Sequence, residues 1–284
     1  MLRILFSLFI LAGCLSACRP TSAPNSTTQL TIADSSQTEI QPLAAKSEYN
    51  GAVALDSIVF SKDYGNCANE NPCLRVRTST IQVKGTAAAD AINSTLRLST
   101  AYFFVLGEEK ATDKPMEQIG EQLHREFLEL GGESPMSWEY EVGSTVLLNA
   151  HNLLSIDVGG MTYAGGAHPN HANTLLCFDT QSGKQLTLAD IMKPNYQARL
   201  TQIVENKIRT LYEIPAGIAL TEHGFFEDKI ALTENFALTP KGITFHYSPY
   251  EVAPYAMGHI VVDIPFADIK DLIKPDGAAA PLLP

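Results

Sequence analysis

Cations are scarce in this sequence: 20 Lys and Arg stand against 31 Asp and Glu, a net charge of −11. That balance argues against nucleic acid and against docking on anionic lipid heads, because both need a cationic face. It leaves a cationic partner open. Long apolar runs are lacking as well. The most apolar stretch, Ile4–Ala12, falls well short of the roughly 20 residues needed to cross a bilayer. There is no Gly-x-Ser-x-Gly nucleophile elbow, no cysteine with an obvious histidine partner, and no tandem repeat. With 45% hydrophobic and 18% charged residues, the composition is that of a globular protein, not a disordered one.

The first residues carry an address. Met1-Leu2-Arg3, the apolar run and a small-residue exit read as a secretory signal. Leu11-Ala12-Gly13-Cys14 and Leu15-Ser16-Ala17-Cys18 both resemble the bacterial lipobox, in which the cysteine is lipidated and becomes the mature N-terminus. Cys18 is the better candidate, because Arg19-Pro20-Thr21 opens a polar segment directly after it, and Cys14 is the alternative. The expectation is a lipoprotein signal peptide over 1–17 and a flexible tether over 18–48, rich in Ser, Thr, Gln and Ala. The folded part would then sit in the cell envelope on the periplasmic side, lipid-anchored, at the outer membrane in a Gram-negative cell. Export permits disulfides. Pairing Cys67 with Cys73 across a polar, turn-prone loop is the simplest choice and contributes roughly 2 kcal/mol by loop entropy. Cys177, inside Leu175-Leu176-Cys177-Phe178, reads as a buried free thiol.

Val53–Phe60 and Leu74–Val83 read as an antiparallel strand pair. Thr86 is placed to cap a helix with Ala88, Ala91, Ile92, Thr95, Leu96 and Ser99 on its apolar face, extended by Tyr102, Phe103 and Leu106. A second helix starts at Pro115, carries the stripe Met116, Ile119, Leu123, Phe127 and Leu130, and stops at Gly131-Gly132. From Trp138 the period changes to two. Trp138–Val142, Val146–Leu148, Leu153–Val158 and Thr174–Phe178 read as an antiparallel meander. Leu200, Ile203, Val204, Ile208 and Leu211 make a third helical face. A hairpin over Phe236–Tyr247 turns at Thr239-Pro240-Lys241-Gly242, Ile260–Ile264 closes the sheet, and Phe266–Ile273 is a terminal helix. The fold class is α+β: an antiparallel meander sheet packed by helices, with a smaller N-terminal α+β lobe. The expected domains are 49–133 and 134–275, followed by a loose tail over 276–284.

Two loops stand out for chemistry. Tyr163-Ala-Gly-Gly-Ala-His168-Pro169-Asn170-His171 joins two strands through paired glycines and a proline. Pro249-Tyr250-Glu251-Val252-Ala253-Pro254-Tyr255 offers stiff aromatic and acidic surface, good contact chemistry for a protein or a sugar. His168 and His171 have His-x-x-His spacing in a loop, but zinc wants three or four ligands and no third is implied nearby in sequence; folding would have to bring in His223, His246 or His259, and nothing in the chain says it does. No metal and no cofactor is expected. His168 reads first as structural, bonding a neighbouring loop, and His124 as a boundary residue.

Taken together, Tyr163–Asn170, Phe178-Asp179, Ser182-Gly183-Lys184, Leu186–Ile191, Lys241–Phe245, Pro249–Tyr255 and Gly258 resemble an extracytoplasmic domain family of unknown function. That domain occurs in RsiV-type anti-sigma factors, which sense lysozyme, and precedes the catalytic domain of PdaC-type peptidoglycan deacetylases. The resemblance covers Trp138 to Ile273, and a weaker one over Val53–Leu106 implies the smaller accessory domain of PdaC-type proteins. The sigma-binding segment with its spanning helix, and the deacetylase domain with its Asp and two His ligands, have no counterpart in the motifs present. The resemblance therefore implies a non-catalytic binding domain for peptidoglycan-related glycan or a cationic, lysozyme-like muramidase. Tyr163, His168, Asn170, Tyr250, Glu251 and Tyr255 are its contact candidates. The alternative is an envelope glycan hydrolase or deacetylase with His168 and Glu251 as acid–base residues, which folding would have to bring within about 3 Å of a common substrate atom.

Overall fold

The computed structural model describes residues 50–67, 72–105, 110–130 and 136–284. Cys14, Cys18, the signal and the tether lie outside these residues, as do Leu106 and the Gly131-Gly132 stop. The described residues all fall within one compact unit, Pro42–Pro284.

Strand β1 (Ala54–Tyr64) pairs antiparallel with β2 (Leu74–Lys84), and a Cys67–Cys73 disulfide spans the connection between them. Two helices follow, α1 (Ala89–Tyr102) and α2 (Met116–Leu130). They return the chain so that β3 (Trp138–Ala150) lies parallel to β2, with Leu74 opposite Trp138. A parallel pair needs such a crossover. The period-two pattern from Trp138 onward reports β3 and its successors but not this pairing. The stretches Trp138–Val142 and Val146–Leu148, expected as separate strands, form one strand, with its irregularity between Val146 and Leu148.

Strand β3 then turns antiparallel into β4 (Leu153–Tyr163) through His151 and Asn152, both at positive φ (57° and 60°). Two such residues make the mirror-image turn whose twist matches flanking strands. Strand β5 (Asn170–Asp179) completes a five-stranded sheet in the order β1-β2-β3-β4-β5. After the short α3 (Leu188–Ile191) and the long α4 (Gln197–Leu211), β6 (Phe236–Leu238), β7 (Gly242–Tyr247) and β8 (Ile260–Pro265) form a second, three-stranded antiparallel sheet. Helix α5 (Phe266–Ile269) follows and is shorter than the expected Phe266–Ile273. The fold is α+β with mostly antiparallel sheets.

There are two cores. One face of the large sheet (Tyr140, Val142, Ile156, Val158, Leu176, Phe178) packs under α1 and α2 with Ile92, Leu96, Leu123 and Phe127. At the far end of that sheet, Leu148, Leu153 and Cys177 turn the other way. They join α4, the small sheet and α5 in the second core. Residues on both sides of position 133 therefore share the first core and one sheet.

Some local expectations shift. The buried face of α1 is Ile92, Asn93, Leu96, Thr100 and Ala101, not one running through Ala91 and Ser99, and Tyr102 is exposed. The reason is Asn93, whose amide donates to the Val83 carbonyl (2.9 Å) and accepts the Val83 N–H (2.8 Å), turning that side toward the strand. Leu130 and Leu211 end their helices in solvent and not in the core. Residues 276–284 are no loose tail. Ala279 is fully buried and Leu282 and Leu283 pack on the second core, so apolar burial holds the segment down.

Candidate functional site

The loops singled out from sequence meet. The β4–β5 loop carries His168, and the β7–β8 connection carries Tyr250 and Tyr255. The His168 ring stacks on Tyr255 at 3.9 Å between centroids and 22° between planes. Tyr250 lies 5.8 Å from Tyr255, ring to ring. The Tyr255 hydroxyl donates to the Pro169 carbonyl (2.9 Å), and His168 Nδ1 contacts the same carbonyl at 3.0 Å. With Nδ1 as the donor, Nε2 is free to accept from the Tyr250 hydroxyl at 3.4 Å. One tautomer satisfies both contacts.

The backbone sets these positions. Gly165 and Gly166 take φ of 92° and 101°, which bends the loop over so that the Tyr163 hydroxyl donates to the Gly166 carbonyl at 3.0 Å. Tyr250 itself sits at φ 69°, a left-handed conformation rare for an aromatic residue, and remains 56% exposed. Glu251 Oε2 accepts the Ser248 N–H (2.9 Å), closing the turn that presents Tyr250. Strain of this kind, held by a turn that over-determines it, is a mark of contact surfaces. Asn170 opens β5 opposite Thr162. The structure thus brings His168, Tyr250 and Tyr255 together, sets Tyr163 and Asn170 at the strand ends that the His168 loop joins, and commits the Glu251 carboxylate to the turn.

A second group lies alongside and has no single sequence signal. His246 on β7 is 5% exposed, and its ring is 5.0 Å from that of His259. The His259 ring in turn meets His171 edge-on at 6.3 Å. Burial, then the neighbouring His259, pulls the His246 imidazole down to about 4. Burial and His171 also lower His259, against a raising influence from Asp157. Burial raises the Asp157 carboxyl, opposed by Asn173 Nδ2, which donates to both its oxygens (2.8 and 2.9 Å). Asn235 bridges the two sheets here: its Nδ2 donates to the carbonyls of Asn173 and His246 (3.0 Å each), and its Oδ1 accepts the Leu175 N–H (2.7 Å). Only strand register brings these residues together. His223 stands in a separate short turn, Leu220–His223.

Nucleophilic chemistry has little to work with among the described residues. The free thiol of Cys177 is buried, shares a 2.9 Å contact with the Ser155 hydroxyl and accepts the Leu238 N–H (3.2 Å). Burial pushes that thiol up to about 11, which disfavours the thiolate. Among the described residues no group of three or more His, Cys, Asp or Glu is arranged to hold a metal ion.

Two family models match the chain. Residues 67–171 match the model described as Deacetylase PdaC, and residues 189–267 match a protein family of unknown function, DUF3298. No curated protein matches. A DUF3298 family member from Bacteroides fragilis is similar in structure, with a TM-score of 0.65 and 26% identity over 80% of this chain and 96% of that one. A DUF3298 family protein from Pseudomonas aeruginosa shares the fold, with a TM-score of 0.62 and 18% identity over 82% of this chain and 97% of that one. The aromatic–histidine cluster joins a loop from the first matched segment to a connection from the second, and the two matches together make the chain similar to the DUF3298 and PdaC families.

Proposed function

We propose that this is an exported lipoprotein, anchored through Cys18, whose aromatic–histidine face binds a cell-envelope glycan of the peptidoglycan type without cleaving it. The observation that carries the reading is the cluster itself. Tyr250, Tyr255 and His168 converge from two sheets, and a strained turn holds Tyr250 open to solvent. Exposed, rigid aromatic rings with polar tips suit sugar rings, which have an apolar face and a hydroxyl edge. Binding without cleavage fits a site whose loop carboxylate, Glu251, is spent on a backbone amide.

Net acidity supports a second ligand, a cationic muramidase, because a charge of −11 attracts basic proteins at low salt. Co-sedimentation of the purified protein with insoluble peptidoglycan, and separately its capture by immobilised lysozyme, distinguishes the two across a salt series. Retention by peptidoglycan that survives moderate salt supports the glycan reading. Capture by lysozyme alone, lost with salt, moves the function to the protein ligand. Retention by neither sinks both. Replacing Cys18 with Ser is expected to release the protein from membranes in cell fractionation, and unchanged membrane association would contradict the anchor.

A further inference from the structure

Beside the cluster, the open face of the large sheet forms a groove of about 310 Å³. Its floor is backbone. Gly143 on β3 pairs with Gly159 on β4, which pairs with Asn173 on β5. Glycine at 159 leaves room for the Asn173 side chain, since a Cβ there would come within 2.3 Å of Asn173 Nδ2. Glu141 and His171 flank the floor in one cross-strand row through Met161, about 10 Å apart by strand spacing. His259, on the chain just after Tyr255, and His171, just after His168, both line it.

The polar groups of this groove are mostly acceptors. Asn173 spends its amide N–H groups on Asp157, which leaves its side-chain oxygen unused. The neighbouring arginines are engaged elsewhere: Arg77, in register with Glu141, reaches Asp63 and the Lys62 carbonyl, and Arg75 reaches Glu139 at 2.6 Å. Among the described residues the Glu141 carboxylate has neither a hydrogen-bond nor an ion-pair partner. His259 is biased toward its neutral form by burial and by His171, so its ring offers a lone pair. A carboxylate, an amide oxygen and the His259 imidazole facing one small groove call for a cationic donor. The size and the adjoining aromatic rings call for that donor on a sugar.

We propose that this groove receives the free ammonium group of an amino sugar, so that the glycan held by the aromatic cluster is preferred in its de-N-acetylated form. The proposal rests on the glycan reading above. An N-acetyl group would replace the cation with a neutral amide and set its carbonyl oxygen against acceptors.

The test is calorimetric binding of the full chain at pH 6 to a glucosamine tetramer and to its fully N-acetylated counterpart. The glucosamine tetramer should bind about tenfold more tightly, the scale of one charge-assisted hydrogen bond. Glu141→Gln should reduce the preference to within about twofold and leave the N-acetylated tetramer unaffected. Glu129→Gln, the same charge change on exposed α2, should leave the preference intact, and thermal melts confirm that both variants fold. Equal affinity of the unaltered protein for the two tetramers overturns the ammonium site while the glycan reading stands. Binding of neither overturns both. Loss of lysozyme capture in Glu141→Gln, with tetramer binding unchanged, assigns the groove to a protein lysine and overturns the sugar assignment.

Discussion

The two cores of this molecule are finished differently. In the second core no buried side-chain donor or acceptor of the described residues is orphaned. The Tyr247 hydroxyl donates to the Ala231 carbonyl at 3.0 Å, and Cys177 is bonded to Ser155 and Leu238. In the first core the Tyr140 hydroxyl and Trp138 Nε1 are buried with no hydrogen-bond partner among the described residues. Helix coverage follows the same line. Leu200, Val204 and Ile208 of α4 are fully buried, whereas α2 fully buries Leu123 but seats Ile119 and Phe127 at 8% and 6% exposure; both helices leave a terminal leucine, Leu211 and Leu130, in solvent. Each orphaned buried donor costs about 1–3 kcal/mol. The second core is therefore the stable frame and the first, under α2, the softer one. The binding face is built where a loop of the large sheet meets a connection of the small one.

The largest expected effects come from equal truncations in the two cores. Leu200→Ala should cost about 4 kcal/mol, near the top of the range for a fully buried leucine, and Leu123→Ala under α2 about 2–3 kcal/mol, because a softer site collapses more readily around the void. Denaturant unfolding measures both. A larger loss at Leu123 would reverse the ranking of the cores.

Acid should act next, at the junction of the two sheets. The folded-state His246 lies at about 4, below its ordinary value of 6.5, so the unfolded chain binds more protons between those values. Stability is therefore complete above pH 6.5 and falls as pH drops toward about 4, by up to about 3 kcal/mol. His259, also lowered, adds in the same direction. Asp157, raised, opposes them at the acid end, because its folded form holds its proton more tightly than the unfolded form. Melting temperatures across pH 4–7 check this, and His246→Gln should flatten most of the slope. A profile that stays steep in that variant would place the pH response outside the junction.

The smallest effects are the most discriminating. Tyr247→Phe should cost about 1 kcal/mol through the lost bond to Ala231, whereas Tyr140→Phe, which removes an orphaned hydroxyl, should be neutral or slightly stabilising. Equal costs at the two positions would erase the contrast in polar satisfaction.

What the sequence revealed follows from range. The Ile119-Leu123-Phe127 stripe, the Thr239–Gly242 hairpin turn and the β1–β2 pair are local patterns, and each is readable because neighbours in sequence are neighbours in space. The parallel β2–β3 pairing is not, since two helices separate its partners. Asn93 was invisible as a core residue, because a polar side chain is buried there only to serve the Val83 backbone. Docking of residues 276–284 is not legible in the sequence, because small residues such as Ala279 carry little hydrophobic signal. At the site, residue chemistry marked both loops, through paired glycines in one and proline-bracketed tyrosines in the other. That they touch, and that His171, His246 and His259 gather beside them, depends on the register of two sheets, which no short pattern encodes.

The central claim is that the face formed by residues 163–171 and 248–259 is where the ligand sits. Hydrogen–deuterium exchange of the protein with and without soluble peptidoglycan fragments tests it directly. The account predicts added protection confined to those two segments and the adjoining β3–β4 face around Glu141 and Gly159. Protection centred on α2 and β1, with the two loops unchanged, would contradict it.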